Sequence, residues 1–267
     1  MTGNLLIAFA LTALAGLSTG IGSALAFFAK NNNTKLLSVS LGFSAGVMIY
    51  VSMIEIFSKA QISLQAAMGD RKGALATVAA FFAGMFLIGI IDRLIPHKDN
   101  PHEFKKIDME PSVSKDKSKL MRSGMLTAIA IAIHNFPEGL ATFVSALQEP
   151  SLAIPIVAAI AIHNIPEGIA VSIPIYYATG DKKKALLYSF ASGLSEPIGA
   201  IVGYLVLMPF MNDTVYGLLF ASVAGIMVFI SFDELLPSAK EYGEHHLSVY
   251  GLVAGMAVMA ISLILFI

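Results

Sequence analysis

Residues 131–141 read IAIHNFPEGLA, and residues 160–170 read IAIHNIPEGIA. The second stretch repeats the first, differing only where Phe136 becomes Ile165 and Leu140 becomes Ile169. Each copy sets His, Asn, Pro and Glu inside an apolar run. His134 and Glu138 stand four residues apart, as do His163 and Glu167, so each pair shares one helix face. In an oily setting this is costly. An ionised carboxylate at the centre of a bilayer costs ~2.5–3.5 kcal/mol, and neither run contains a Lys or Arg to offset it. A divalent cation or a proton is the natural positive partner. The plainer reading is a neutral His–Glu hydrogen bond stapling two helices. Duplication of an intramembrane ionisable group favours the functional reading.

The composition says that the setting is indeed oily. Of 267 residues, 56% are hydrophobic and 13% charged, with a mean hydropathy of +0.76. Soluble domains carry about 25% charged residues. A polytopic membrane protein follows. The formal net charge of −1 gives no basic field for nucleic acid. Cysteine is absent, which excludes disulfides, thiolate metal sites and cysteine nucleophiles.

About 20 apolar residues span a bilayer core as a helix. That rule predicts eight transmembrane helices, over 4–28, 36–58, 74–94, 123–147, 151–177, 185–209, 214–236 and 247–267. The first is read as a span rather than a signal peptide. Its apolar run from Leu5 to Phe28 is long, and the first basic residue is Lys30. The chain, 1–267, reads as a single transmembrane domain, and 95–122 as a polar connecting loop. The connections after spans one, three, five and seven hold every Lys and Arg except Lys59, Arg71 and Lys72. The positive-inside rule therefore predicts that the 95–122 loop is cytoplasmic and that both termini lie outside. Gly16/Gly20, Gly42/Gly46, Gly199/Gly203 and Gly251/Gly255 are spaced to let helices approach closely.

The repeated motif falls in successive spans, which run in opposite directions. Two like-spelled segments so placed are related by a pseudo-two-fold axis in the membrane plane, an arrangement common in transporters. If the two faces meet, His134, Glu138, His163 and Glu167 form a set suited to a borderline dication such as Zn²⁺. Asn135 and Asn164 point about 100° away from the adjoining histidines and could serve a second position. Pro137 and Pro166 cannot donate to the carbonyls of Ile133 and Ile162, so each frees a carbonyl at the depth of the motif. Such a carbonyl must face protein or a wet cavity. Glu196, beside Pro197 in SGLSEPIGA, is a third intramembrane acid and could complete the second position. The plainer role for Glu196 is a packing hydrogen bond to Ser192. Glu55, Asp233 and Glu234 lie toward span ends and are candidates for an inlet or outlet relay. His97, His102, His245 and His246 read as surface residues.

HNFPEG and HNIPEG, with SGLSEPIG and FDELLP further on, resemble the signatures of the ZIP (Zrt/Irt-like) metal transporters, and most nearly their bacterial zinc-importer branch. The resemblance covers all the spans. It implies a 3+2+3 inverted-repeat bundle, in which three helices, a central pair and three inverted helices enclose a transport path. It also implies a binuclear metal centre. One site would use His134, Glu138, His163 and Glu167, and the adjacent site Asn135, Asn164 and Glu196, with the motif glutamates bridging.

The expected function is import of divalent metal through the cytoplasmic membrane. Zn²⁺ is the first cargo, and mixed N/O ligands admit Fe²⁺, Mn²⁺, Co²⁺ and Cd²⁺. The expected partners are these ions and the lipid bilayer, and a homodimer is compatible with such a bundle. An intramembrane di-metal hydrolase is the rival reading. It is disfavoured because the sequence has no H-E-x-x-H motif and no separate general base. A sensor that binds metal without moving it would be told apart by flux.

Overall fold

The structure, a computed structural model, describes residues 2–27, 34–94, 115–148, 150–242 and 245–265. Eight helical rods account for nearly all of these residues: α1 (Thr2–Ala26), α2 (34–68), α3 (Asp70–Leu94), α4 (Lys115–Gln148), α5 (Pro150–Thr179), α6 (182–210), α7 (213–242) and α8 (His245–Leu265). No strand occurs among the described residues. An all-helical chain is what a hydrocarbon solvent demands, because a helix satisfies its own backbone groups. Among the described residues, tight turns join α2 to α3 and α5 to α6. Gly69, at φ 83°, separates α2 from α3, and Gly180, at φ 70°, ends α5. Asp181 then caps α6, accepting from the backbone N–H of Lys183 at 2.8 Å and of Lys184 at 3.3 Å.

Among the described residues, seven stretches are long and apolar enough to cross a bilayer: Asn4–Ala24, Ser38–Met68, Asp70–Ile91, Ile156–Thr179, Lys182–Phe210, Asp213–Lys240 and His246–Ile264. Among the described residues α4 does not meet that measure. It begins with the charged run KDKSKLMR and carries the first polar motif in its middle. Rods α2 to α7 are longer than the apolar runs predicted. Residues 115–122, expected as the end of a loop, form the start of α4; residues 95–114 and His97 and His102 lie outside the described residues. Helix α2 continues to Met68 because Ala60 and Leu64 of its last turns pack against α7 at Gly217.

The bundle is apolar outside and keeps its motif residues within an otherwise apolar core. Leu6, Leu14 and Ile21 of α1, Leu75, Phe86 and Ile90 of α3, and Tyr250, Val253 and Ile264 of α8 are exposed. His134, Asn135, Glu138, His163, Asn164, Glu167 and Glu196 are buried. This inversion identifies a multi-pass membrane protein, since in water those apolar faces would drive association. Helix α1 packs on α4, α5 and α6, α5 also on α4, α3 on α7, and α2 on α5, α7 and α8.

Lipid gives no hydrophobic drive for helix association, so close packing must supply it. The glycine pairs do this. A Cβ on Gly42 would strike the carbonyl of Ser248, and one on Gly46 that of Leu252. In return, Gly251 and Gly255 of α8 lie against the carbonyls of Val39 and Phe43. Gly16 meets Gly193, and Gly199 and Gly203 receive Phe136 and Leu140. Gly46→Ala is expected to cost about 1–3 kcal/mol by forcing α8 outward. A lowered thermal unfolding midpoint in detergent would show it.

Candidate metal centre

Helices α4 and α5 carry the two motif copies and lie against each other at the heart of the bundle. Pro137 sits inside α4 without ending it, and α5 likewise runs through Pro166. The pairing across the interface is reciprocal. His134 Nε2 stands 3.2 Å from Glu167 Oε2, and His163 Nε2 stands 3.2 Å from Glu138 Oε1. Each imidazole therefore faces the carboxylate of the other copy, not the one four residues along its own helix. Residue i of one copy thus stands level with residue i+4 of the other. Among the described residues no three His, Asp or Glu side chains surround one point; these four are drawn into two pairs.

Glu196 stands next to this quartet. It accepts a short hydrogen bond from the Asn164 amide, which also donates to the Ala15 carbonyl of α1 at 3.0 Å. Ser192 does not bond Glu196 but donates to the Ser189 carbonyl at 2.8 Å. Helix α6 is broken at Leu194, where Pro197 interrupts its ladder, and Glu196 sits in the first turn after the break. Asn135 is buried on α4 with neither amide atom hydrogen-bonded among the described residues. His134 Nδ1, His163 Nδ1, Glu138 Oε2 and one oxygen each of Asn164 and Glu196 are likewise buried without a hydrogen bond. Buried polar atoms left in this state are costly. Grouped together, they form a donor set of imidazole nitrogen and carboxylate or amide oxygen that suits a divalent cation.

The remaining acids occupy turns of π-helix, which widen a helix by slipping its hydrogen bonds. Glu55 lies in the π turn Val51–Ile56 of α2 and pairs with Lys59 at 2.7 Å. Asp233 and Glu234 lie in the π turn Ser231–Leu235 of α7. Glu234 is buried and lines a small cleft with Thr127 and Ile131 of α4, Ala170 of α5 and Ser238. Glu55 is engaged by its own helix neighbour. His246 is exposed and stacks on Tyr250.

The sequence profile described as ZIP Zinc transporter matches residues 93–263. Three relatives bear the name Zinc transporter ZupT. That of Streptococcus mutans is 66% identical over 267 residues, the whole of both chains. That of Clostridium perfringens is 63% identical over 278 residues, 99% of this chain and 97% of its own. That of Oceanobacillus iheyensis is 62% identical over 264 residues, 98% of each. The chain belongs to the ZIP zinc transporter family.

A ZIP protein is a transporter and not an enzyme, which sets the hydrolase reading aside. Three features of this ZIP chain were not foreseen from its motifs. Gly139 and Gly168, the closing residues of the two copies, are packing residues. A Cβ on Gly139 would run into the backbone of Glu196, and one on Gly168 into the Thr19 carbonyl. Ser44 of α2 donates to Glu167 Oε1 at 3.1 Å. The fixed spacing of Gly after Pro-Glu in both copies was a visible signal for the first two; nothing local marked Ser44.

Proposed function

We propose that this protein imports divalent metal ions across the cytoplasmic membrane, with Zn²⁺ as the first cargo. The supporting observation is the crosswise pairing of His134 with Glu167 and of His163 with Glu138, buried between two apolar helices. The names borne by the full-length relatives agree with it. In this reading all eight rods cross the membrane, α4 included, in a 3+2+3 inverted repeat with α4 and α5 as the central pair. The Lys and Arg distribution puts the connection between α3 and α4 in the cytoplasm and both termini outside. The exposed flanks of α3 and α8 face lipid and leave room for a second copy of the chain.

The chemistry follows from the donor set. A dication arriving from outside exchanges water for Asn135, Asn164 and Glu196 on one side of the centre. On the other side it meets His134, Glu138, His163 and Glu167, and the two motif glutamates bridge the positions. Ligation requires neutral imidazole and ionised carboxylate, so the cation displaces the proton held within each His–Glu pair. Carbonyls freed by Pro137 and Pro166 help replace the hydration shell. Glu234, in the cleft it lines with residues of α4 and α5, receives the ion on its way inward with Asp233, and Glu55 marks the outer approach.

Uptake of ⁶⁵Zn by proteoliposomes tests the proposal. Uptake above that of protein-free vesicles is expected, and its absence would refute import. Cd²⁺ and Co²⁺ are expected to compete, because imidazole and carboxylate accept them. A large excess of Mg²⁺ is expected to leave uptake unchanged, because Mg²⁺ sheds its waters reluctantly and is not drawn to nitrogen. Equal inhibition by Mg²⁺ would show that a bare negative charge, rather than this ligand set, selects the cargo.

A further inference from the structure

Glu138 and Glu167 come from the same short motif, yet they are not equivalent. The Ser44 hydroxyl, wholly buried on α2, donates to Oε1 of Glu167 at 3.1 Å, and Oε2 of Glu167 faces His134. Glu138 has the matching contact with His163 but receives no hydroxyl or amide hydrogen bond on either oxygen among the described residues. We propose that Ser44 is a positioning residue that makes the two motif carboxylates unequal. It holds Glu167 as a ligand offering one oxygen and leaves Glu138 to offer two. The inference rests on the reading of this quartet as the cargo site.

The position of Ser44 is fixed by the fold. Ser44 lies two residues from both Gly42 and Gly46, about 200° around the helix from each. Those glycines press α2 onto the Ser248 and Leu252 carbonyls of α8, and α8 answers with Gly251 and Gly255. Ser44 is therefore turned away from α8 and toward α5, and α2 cannot slide without breaking that seam. Hydroxyls in helices ordinarily bond the carbonyl one turn back. Thr12, Thr77 and Ser231 do so here, to Ala8, Gly73 and Met227. Ser44 instead spends its hydrogen on a side chain of another helix. Outer partners of metal ligands are worth about 10–100-fold in affinity or activity.

The test is ⁶⁵Zn uptake against zinc concentration by the full-length protein in proteoliposomes, for wild type, Ser44→Ala, Ser44→Thr, Thr77→Ala and His134→Ala/His163→Ala. Ser44→Ala is expected to raise KM about tenfold while the maximal rate stays within about twofold. Ser44→Thr, which keeps the hydroxyl, is expected to restore KM, and Thr77→Ala to leave it unchanged. A wild-type KM in Ser44→Ala, alongside a silent double-histidine variant, overturns the role of Ser44 alone. A raised KM shared by Ser44→Ala and Ser44→Thr also overturns it, because volume and not the hydroxyl would then matter. Transport by the double-histidine variant at the wild-type rate would instead bring down the cargo site itself. If Ser44→Ala fails to fold, Ser44→Cys, of similar volume and weaker as a donor, serves in its place, and a wild-type KM there is equally decisive against the inference.

Discussion

Replacing His134 and His163 together by alanine is expected to reduce zinc uptake at least about a hundredfold, the upper end of what even outer partners of metal ligands are worth. Each imidazole is the nearest partner of a carboxylate from the opposite copy, so the double change removes half the quartet and unpairs the other half. A bilayer interior cannot hydrate what remains. Glu138 and Glu167 would keep any cation that reached them without nitrogen ligands to complete its shell. The fold is expected to survive, because the helix seams are built elsewhere by glycine contacts. Uptake assays, with size-exclusion profiles and melting curves of the same samples, separate loss of transport from loss of structure.

Gly139→Ala is expected to be nearly as damaging by a different route. The added methyl would occupy the space of the Glu196 backbone, so α6 must move away from α4. Overpacking of this kind costs about 1–3 kcal/mol, occasionally more. It also withdraws Glu196 from Asn164 and from the quartet. Both a lower melting midpoint and a collapse of uptake are expected. An alanine at Gly180, where a Cβ meets nothing within 4 Å but φ is positive, is expected to lower stability without abolishing uptake. A Gly139→Ala protein that melts lower yet transports normally would show that the position of Glu196 is unimportant.

The sequence made the motif and its burial legible, because the residues that cost most in lipid stand out against an apolar background. It also made the α2–α8 seam legible, since Gly42, Gly46, Gly251 and Gly255 mark where backbones touch. The π turns were not read from the sequence, although two of them stand beside a local mark. Those at Gly203–Leu207 and Ser231–Leu235 are each followed within two residues by a proline, Pro209 and Pro237, whose missing N–H upsets the ladder. The one at Val51–Ile56 has no such neighbour and left no trace. The crosswise pairing of His134 with Glu167 depends on how two antiparallel helices register, which spacing within either one does not reveal. The Ser44 contact joins residues 123 positions apart and follows from tertiary packing alone. The last turns of α2 and α7 run beyond the spans read from the sequence because each has a neighbour to pack on: Ala60 and Leu64 meet Gly217, and the Ser38 hydroxyl donates to the Ala239 carbonyl.

The central claim is that α4 and α5 pool their imidazoles and carboxylates around a shared cation. Anomalous scattering at the zinc edge, from crystals of the full chain soaked in zinc, examines this directly. The expected result is a peak between α4 and α5, with His and Glu atoms of both copies drawn in to about 2.0–2.2 Å. A map with no peak there, and with His134–Glu167 and His163–Glu138 still paired as before, would contradict it.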